Sequence, residues 1–178
     1  MKVVGKIILV VALVSISMMI AVVGNGYDMY KEALEQMPLE EQVAKIRQKE
    51  YYAVLKEIPQ IYKNAVISVE DHRFYTHRGI DMIAIGRAFL NDVKKMDFVE
   101  GGSTITQQLA KNMYFTQEKK ITRKIAEVFM AFEIEKNYSK EDILELYLNT
   151  SYLGDGYYTV KEACKRLFPK RIKPNDRQ

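Results

Sequence analysis

Residues 3–23 read V-V-G-K-I-I-L-V-V-A-L-V-S-I-S-M-M-I-A-V-V, and from Ile7 to Gly24 no charge interrupts the run. That length approaches the ~20 apolar residues that span a bilayer, so the pattern predicts a membrane helix. A cleaved signal sequence also begins with Lys before an apolar stretch. Its apolar part usually runs only ~7–15 residues, however, and the segment around Gly24, Asn25 and Gly26 lacks a convincing small-residue cleavage signal. The expectation is an uncleaved anchor over residues 1–26. Lys2 and Lys6 precede the run, whereas residues 24–29 carry only Asp28. This bias predicts a single pass with a cytoplasmic N-terminus and an extracytoplasmic body.

After the anchor the periodicity changes. Residues 27–58 are charged and helix-compatible, punctuated by Pro38 and Pro59, and predict a stalk and lead-in helices. Residues 61–69 form an apolar segment that runs into Glu70. Beyond Gly79, Asp81 can cap a helix whose Met82, Ile85, Phe89, Val93 and Met96 fall at helical spacing. Thr104 followed by Gln107 makes a capping box for a helix to about Met113. Ile121, Ile125, Val128, Phe129 and Phe132 predict a helix with that face buried. Ser139 with Asp142 caps another, in which Ile143, Leu144, Tyr147 and Leu148 line one side. A last helix is expected from about Tyr158 to Phe168. No long stretch alternates with period two, so the fold class is mainly α.

Composition adds little to this picture but removes several alternatives. The formal charge of the 178 residues is +4, and from Tyr27 onward 25 basic residues face 23 acidic ones. That is no nucleic-acid-like surplus, and no nucleic-acid partner is expected. The single Cys164 cannot form an intramolecular disulfide, and with only two histidines no Cys/His zinc site is available. Charge is uneven, however: Lys111, Lys119, Lys120, Arg123 and Lys124 face only Glu118 between positions 111 and 124. Such a run is most often a solvated helix face, and a phosphate site is the sharper alternative.

Three clusters could carry chemistry. Glu70 opens E-D-H-R-F-Y-T-H-R-G-I-D at the edge of an apolar segment. Partial desolvation there would favour proton transfer near neutral pH, while the blander alternative is a helix-end Glu paired with Arg73. His77 reads as a hydrogen-bonding group that orders this loop. The second cluster, G-G-S-T-I-T-Q-Q-L-A-K-N, joins two glycines to a capped helix start. Its free N–H groups and the neutral donors of Ser103, Thr104, Thr106, Gln107 and Gln108 suit an anion or sugar hydroxyls. A plain loop and N-cap would leave the paired glutamines and Lys111 unexplained. In the third, R-K-I-A-E, Arg123 and Glu127 stand four apart. Either they form a surface ion pair or Glu127 is a second carboxylate among cations.

Taken together, these strings resemble the peptidoglycan glycosyltransferases, the family of the transglycosylase domains of class A penicillin-binding proteins and their monofunctional relatives. Four motifs occur in the family's order: E-D-x-x-F-Y-x-H-x-G-I-D at 70–81, G-G-S-T-I-T-Q-Q-L-x-K-N at 101–112, R-K-x-x-E at 123–127 with S-K-x-x-I-L-E-L-Y-L-N at 139–149, and Y-x-G-D-G-Y-Y at 152–158. The resemblance covers about residues 59–170.

The resemblance implies a lysozyme-like, mainly α glycosyltransferase domain over residues 59–178 behind the N-terminal transmembrane helix. Residues 81–98 would form a small membrane-dipping jaw. Glu70 would be the general base that deprotonates the acceptor 4-hydroxyl in an inverting attack on a polyprenyl-pyrophosphoryl disaccharide of the lipid II type. Glu127 would orient the donor or a divalent cation, Mg or Mn. Arg87, Lys111, Lys119 and Arg123 would serve the donor phosphates, and Ser103, Gln107, Gln108 and Asn112 would line the donor site. The partners implied are lipid II, the growing glycan strand, the plasma membrane and other cell-wall synthesis proteins.

Two features depart from the family's pattern. Lys119 stands where Arg is expected, and Leu167-Phe168-Pro169-Lys170 replaces the usual Y-F-G-K. The chain also stops at Gln178 before the last family motif, so a C-terminally shortened domain is expected. The alternative function is therefore a non-catalytic membrane fragment that binds lipid-linked precursor or cell-wall synthases. A glycan-cleaving enzyme would leave the cationic segment and the double glutamine without a role.

Overall fold

The computed structural model describes residues 2–95, 101–116, 120–154, 156 and 159–167. It is mainly helical, with no strand among the described residues. The elements are α1 (Lys2–Gln36), α2 (Leu39–Arg47), a 3-10 turn (Leu55–Glu57), α3 (Gln60–Glu70), α4 (Met82–Lys95), α5 (Ile105–Tyr114), α6 (Ile121–Asn137), α7 (Lys140–Leu148) and α8 (Val160–Leu167).

α1 does not end with its apolar run. It continues as one helix for 35 residues, long and apolar enough in its first part to cross a membrane. Its C-terminal part docks on α6. Gly26 makes this possible, because a Cβ there would fall 2.6 Å from Ile125 Cγ2 and 3.0 Å from the Thr122 carbonyl oxygen. The adjacent Tyr27 ring meets Phe129 edge-on at 5.2 Å, and about one turn after Gly26 the Tyr30 hydroxyl donates to Glu133 at 3.3 Å. Residues 27–58 therefore do not stand apart from the body as a stalk. Leu39, Val43, Ile46, Ala53 and Ile58 belong to the main core, together with Leu109, Met130, Ile134 and Leu146.

The caps form as their sequences dictate. Both capping boxes are present, Thr104 with Gln107 and Ser139 with Asp142. Asp81 accepts from the Ile83 and Ala84 amides at 2.9 Å and starts α4. In α7, Ile143, Leu144, Tyr147 and Leu148 are all buried, as their spacing predicts.

The phase of α6 differs from its apolar pattern. Its buried stripe is Ala126, Glu127, Met130, Ala131 and Ile134, whereas Ile121 is 75 % exposed and Phe132 43 % exposed. α6 lies between α1 and the core, so Ile125 and Phe129 meet α1, while Met130 and Ile134 join the core and Ala131 packs close to Gly79. A close helix contact favours alanine over the largest apolar residues. In α4, Met82, Ile83 and Leu90 are exposed and Ala88 is buried. Met96 lies outside the described residues, as do Tyr158 and Phe168 at the expected bounds of the last helix.

Candidate active site

The loop between α3 and α4 is clamped from three sides. Buried Asp71 accepts from His77 Nε2 at 2.9 Å and from the Ile105 amide at 3.0 Å, which ties the end of α3 to the start of α5. His77 thus orders the loop as its position suggests. Thr104 Oγ1 donates to the Gly79 carbonyl at 2.6 Å. Gly79 has φ +93°, and a Cβ there would press on Ala131 of α6 at 3.3 Å, so both conformation and space require glycine. Arg73 grips Asp81 in a two-pronged ion pair, with Nε to Oδ2 at 2.7 Å. The Arg73 fork, reinforced by the α4 amides, holds the Asp81 carboxyl down at about 2.

Glu70 is the last residue of α3 and is exposed, so the desolvated carboxylate anticipated from its apolar surroundings does not form. Nor does it pair with Arg73, which is committed to Asp81. Its partner is Gln108, whose Nε2 donates to Glu70 Oε2 at 2.8 Å. The Gln108 carbonyl accepts from the Tyr147 hydroxyl at 3.1 Å, which fixes the amide with its NH2 toward Glu70. Burial, with the Glu70 charge second, pushes the Tyr147 hydroxyl up to about 12, so it remains a donor.

Glu70 borders two cavities. One, of about 360 Å³, is polar and includes Asp71, Asp81, Arg87, Ser103 and Thr104 in its wall. The other, of about 300 Å³, is mostly apolar and is lined by Tyr62, Val66, Tyr147, Tyr152 and Leu153. The backbone reaches the polar cavity at Gly101. Gly102, by contrast, packs on α4, where a Cβ would lie 3.3 Å from Ile85 Cα.

Glu127 is not a surface ion-pair partner, because it is only 1 % exposed. Oε1 lies 2.7 Å from Arg123 Nη1 and Oε2 accepts from Lys124 Nζ at 2.9 Å. Lys124 Nζ also donates to Ser103 Oγ at 2.6 Å, linking the buried carboxylate to the wall of the Glu70 cavity. Both oxygens lie beside a cation, but Oε1, although 2.7 Å from Arg123 Nη1, makes no hydrogen bond among the described residues. No group of three or more His, Cys, Asp or Glu gathers at one point among the described residues.

Glu70, Arg87, Ser103, Gln108, Arg123 and Glu127 thus belong to one connected region. Gln107 is buried and its carbonyl accepts from the Thr104 amide, so that oxygen serves the cap. Lys111 stands one turn beyond Gln108 on the same half-buried face of α5. Asn112 lines a different cavity, with Gln42, Lys49 and Phe115. Lys119 lies outside the described residues. Sequence reasoning passed over Lys124, Tyr147 and Asp71. All three sit inside motifs already noticed, but only the fold brings them to Ser103, Gln108 and the Ile105 amide.

A transglycosylase family model matches residues 37–175. Penicillin-binding protein 1F of Bacillus subtilis is 48 % identical over 119 residues, which is 67 % of this chain and 17 % of that protein. Penicillin-binding protein 1A of Aquifex aeolicus is 45 % identical over 125 residues, 70 % of this chain and 17 % of that protein. A monofunctional glycosyltransferase of Staphylococcus aureus is 39 % identical over 135 residues, 76 % of this chain and 50 % of that protein. The chain therefore spans half or less of the length of these relatives. With the family model covering most of its length, the chain belongs to the peptidoglycan glycosyltransferase family.

Proposed function

We propose that this chain polymerises a lipid-linked disaccharide of the lipid II type into glycan strands at the outer surface of the plasma membrane. The observation that carries the reading is the position of Glu70 between a polar cavity and an aromatic one, held by Gln108. The aromatic side, with Tyr62, Tyr147 and Tyr152, suits the apolar face of an acceptor sugar. The polar side, with Arg87 and Ser103 backed by Lys124, suits a donor pyrophosphate.

In this reading the acceptor 4-hydroxyl oxygen attacks the donor anomeric carbon from the face opposite the leaving group. The new C–O bond forms as the bond to the polyprenyl pyrophosphate breaks, with inversion. Glu70 takes the hydroxyl proton, and the cationic side chains stabilise the negative charge that grows on the departing pyrophosphate. Gln108 keeps one carboxylate oxygen fixed, so the other, which has no protein partner among the described residues, is free to meet the hydroxyl. Glu127 acts indirectly in this scheme, holding Arg123 and Lys124 in place. Lys2 and Lys6 favour a cytoplasmic N-terminus, which leaves this site outside the membrane.

The test is glycan-chain formation by the full chain from labelled lipid-linked disaccharide in vesicles, with donor binding measured separately. Polymer formation is expected, with Ser103→Ala weakening donor binding several-fold. Donor binding by the wild-type chain without any polymer would replace this reading with that of a precursor-binding membrane protein.

A further inference from the structure

The exposed tip of α6 stands at the level of the bilayer that α1 is long enough to cross, and the register of the two helices fixes this height. Gly26 meets Thr122 and Ile125, Tyr27 meets Phe129, and Tyr30 meets both Phe129 and Glu133. Residue numbers rise together along the contact, so the helices run parallel and α6 points away from the membrane. The uncharged run of α1 ends at Gly24. From Ile125 back to Ile121 the α6 axis retreats by about 6 Å at the helical rise, which brings Ile121 level with Val22 and Val23, inside that run.

At that height Ile121 has a 75 % exposed side chain. Lys120 precedes it, and Arg123 and Lys124 follow within one turn. A lone exposed isoleucine carries no argument by itself. Its height and its basic neighbours do, because an apolar side chain beside cations matches a helix end lying at the boundary of headgroups and acyl chains. There the isoleucine hydrocarbon enters the membrane, while Arg123 and Lys124 keep their partners on Glu127 and Ser103 and place their charge at headgroup height.

We infer that the first turn of α6 is seated in the interfacial layer of the phospholipid bilayer that α1 crosses, with Ile121 inserted. The helix that carries Glu127 is then held at two points, by α1 along its side and by the membrane at its tip. Glu127 lies six residues further along α6, about 9 Å at the helical rise, so its cations stand at the height of the phosphate layer. That is where a lipid-linked pyrophosphate presents its charge. The inference rests on α1 being a membrane span, and it requires no turnover.

The experiment uses the full chain in phosphatidylethanolamine and phosphatidylglycerol vesicles, in a Cys164→Ser background. Single cysteines at Val14→Cys, Ile121→Cys and Lys136→Cys carry an environment-sensitive fluorophore, and lipid-borne nitroxides serve as quenchers. All three positions are exposed, so the labels do not disturb the core. Val14→Cys should be quenched by deep nitroxides and Ile121→Cys by shallow ones, several-fold more than Lys136→Cys. The last, about 22 Å further along α6, should respond to aqueous iodide instead. If Val14→Cys is quenched while Ile121→Cys behaves like Lys136→Cys, the membrane span stands and the α6 seat is overturned. If Val14→Cys is not quenched, the span reading falls and takes the seat with it.

Discussion

Gln108 donates to Glu70 at 2.8 Å while its own carbonyl accepts from Tyr147, so the carboxylate at the centre of the site is oriented by a buried tyrosine on another helix. Tyr147→Phe removes the donor that sets the amide. The chain should lose about 1 kcal/mol of stability, the usual net worth of such a hydrogen bond. Turnover should fall with little change in KM for the lipid substrate, because the amide can then turn its oxygen toward Glu70. A kinetic comparison with Phe at 147 checks this, and an unchanged kcat would remove Tyr147 from the positioning of Glu70.

Glu127→Gln leaves Arg123 without its buried counter-charge. Removing one member of a buried ion pair costs up to about 3–5 kcal/mol, so a marked drop in melting temperature is expected. Lys124→Met should cost less, because the lysine side chain is much less buried than Glu127. Both oxygens of Glu127 already face cations, so the wild-type rate should be unaffected by EDTA. A rate that collapses on chelation and returns with magnesium or manganese would contradict the cationic reading of this carboxylate.

Acid should loosen the loop that carries the site. The Asp81 carboxyl is held down at about 2, first by Arg73 and then by the α4 amides. A carboxyl depressed in the folded state contributes stability above its unfolded value, near 4, and loses it as pH falls toward 2. Melting temperature should therefore decline through that window, and Asp81→Asn should flatten the decline while lowering stability at neutral pH. An identical pH dependence in both proteins would show that Asp81 does not govern it.

Local signals were legible and tertiary ones were not. The two capping boxes and the Asp81 cap lie within four residues of sequence, and each forms as written. The face of α6 was misread because its buried stripe is Ala126, Glu127, Met130, Ala131 and Ile134, in which two alanines and a carboxylate carry no strong apolar signal. For the same reason spacing leaves Glu127 open between a surface partner of Arg123 and a carboxylate among cations, and burial decides for the second. Gln107 and Asn112 share a motif string with Gln108, yet helix geometry sends one into a cap and the other to a separate cavity. Spacing identifies a motif; only the phase of its helix decides which members meet the substrate.

The central claim is that Glu70 is the base that takes the acceptor proton, and Glu70→Gln tests it most directly. Glutamine keeps the shape and a hydrogen-bonding partner for Gln108 but cannot accept the proton. Positioned general-base catalysis contributes about 10²–10⁴-fold, so glycan-chain formation from labelled lipid-linked disaccharide should fall by at least about 10²-fold. Donor binding, measured in parallel, should stay within a few-fold of wild type. Polymerisation by Glu70→Gln at the wild-type rate would contradict the account.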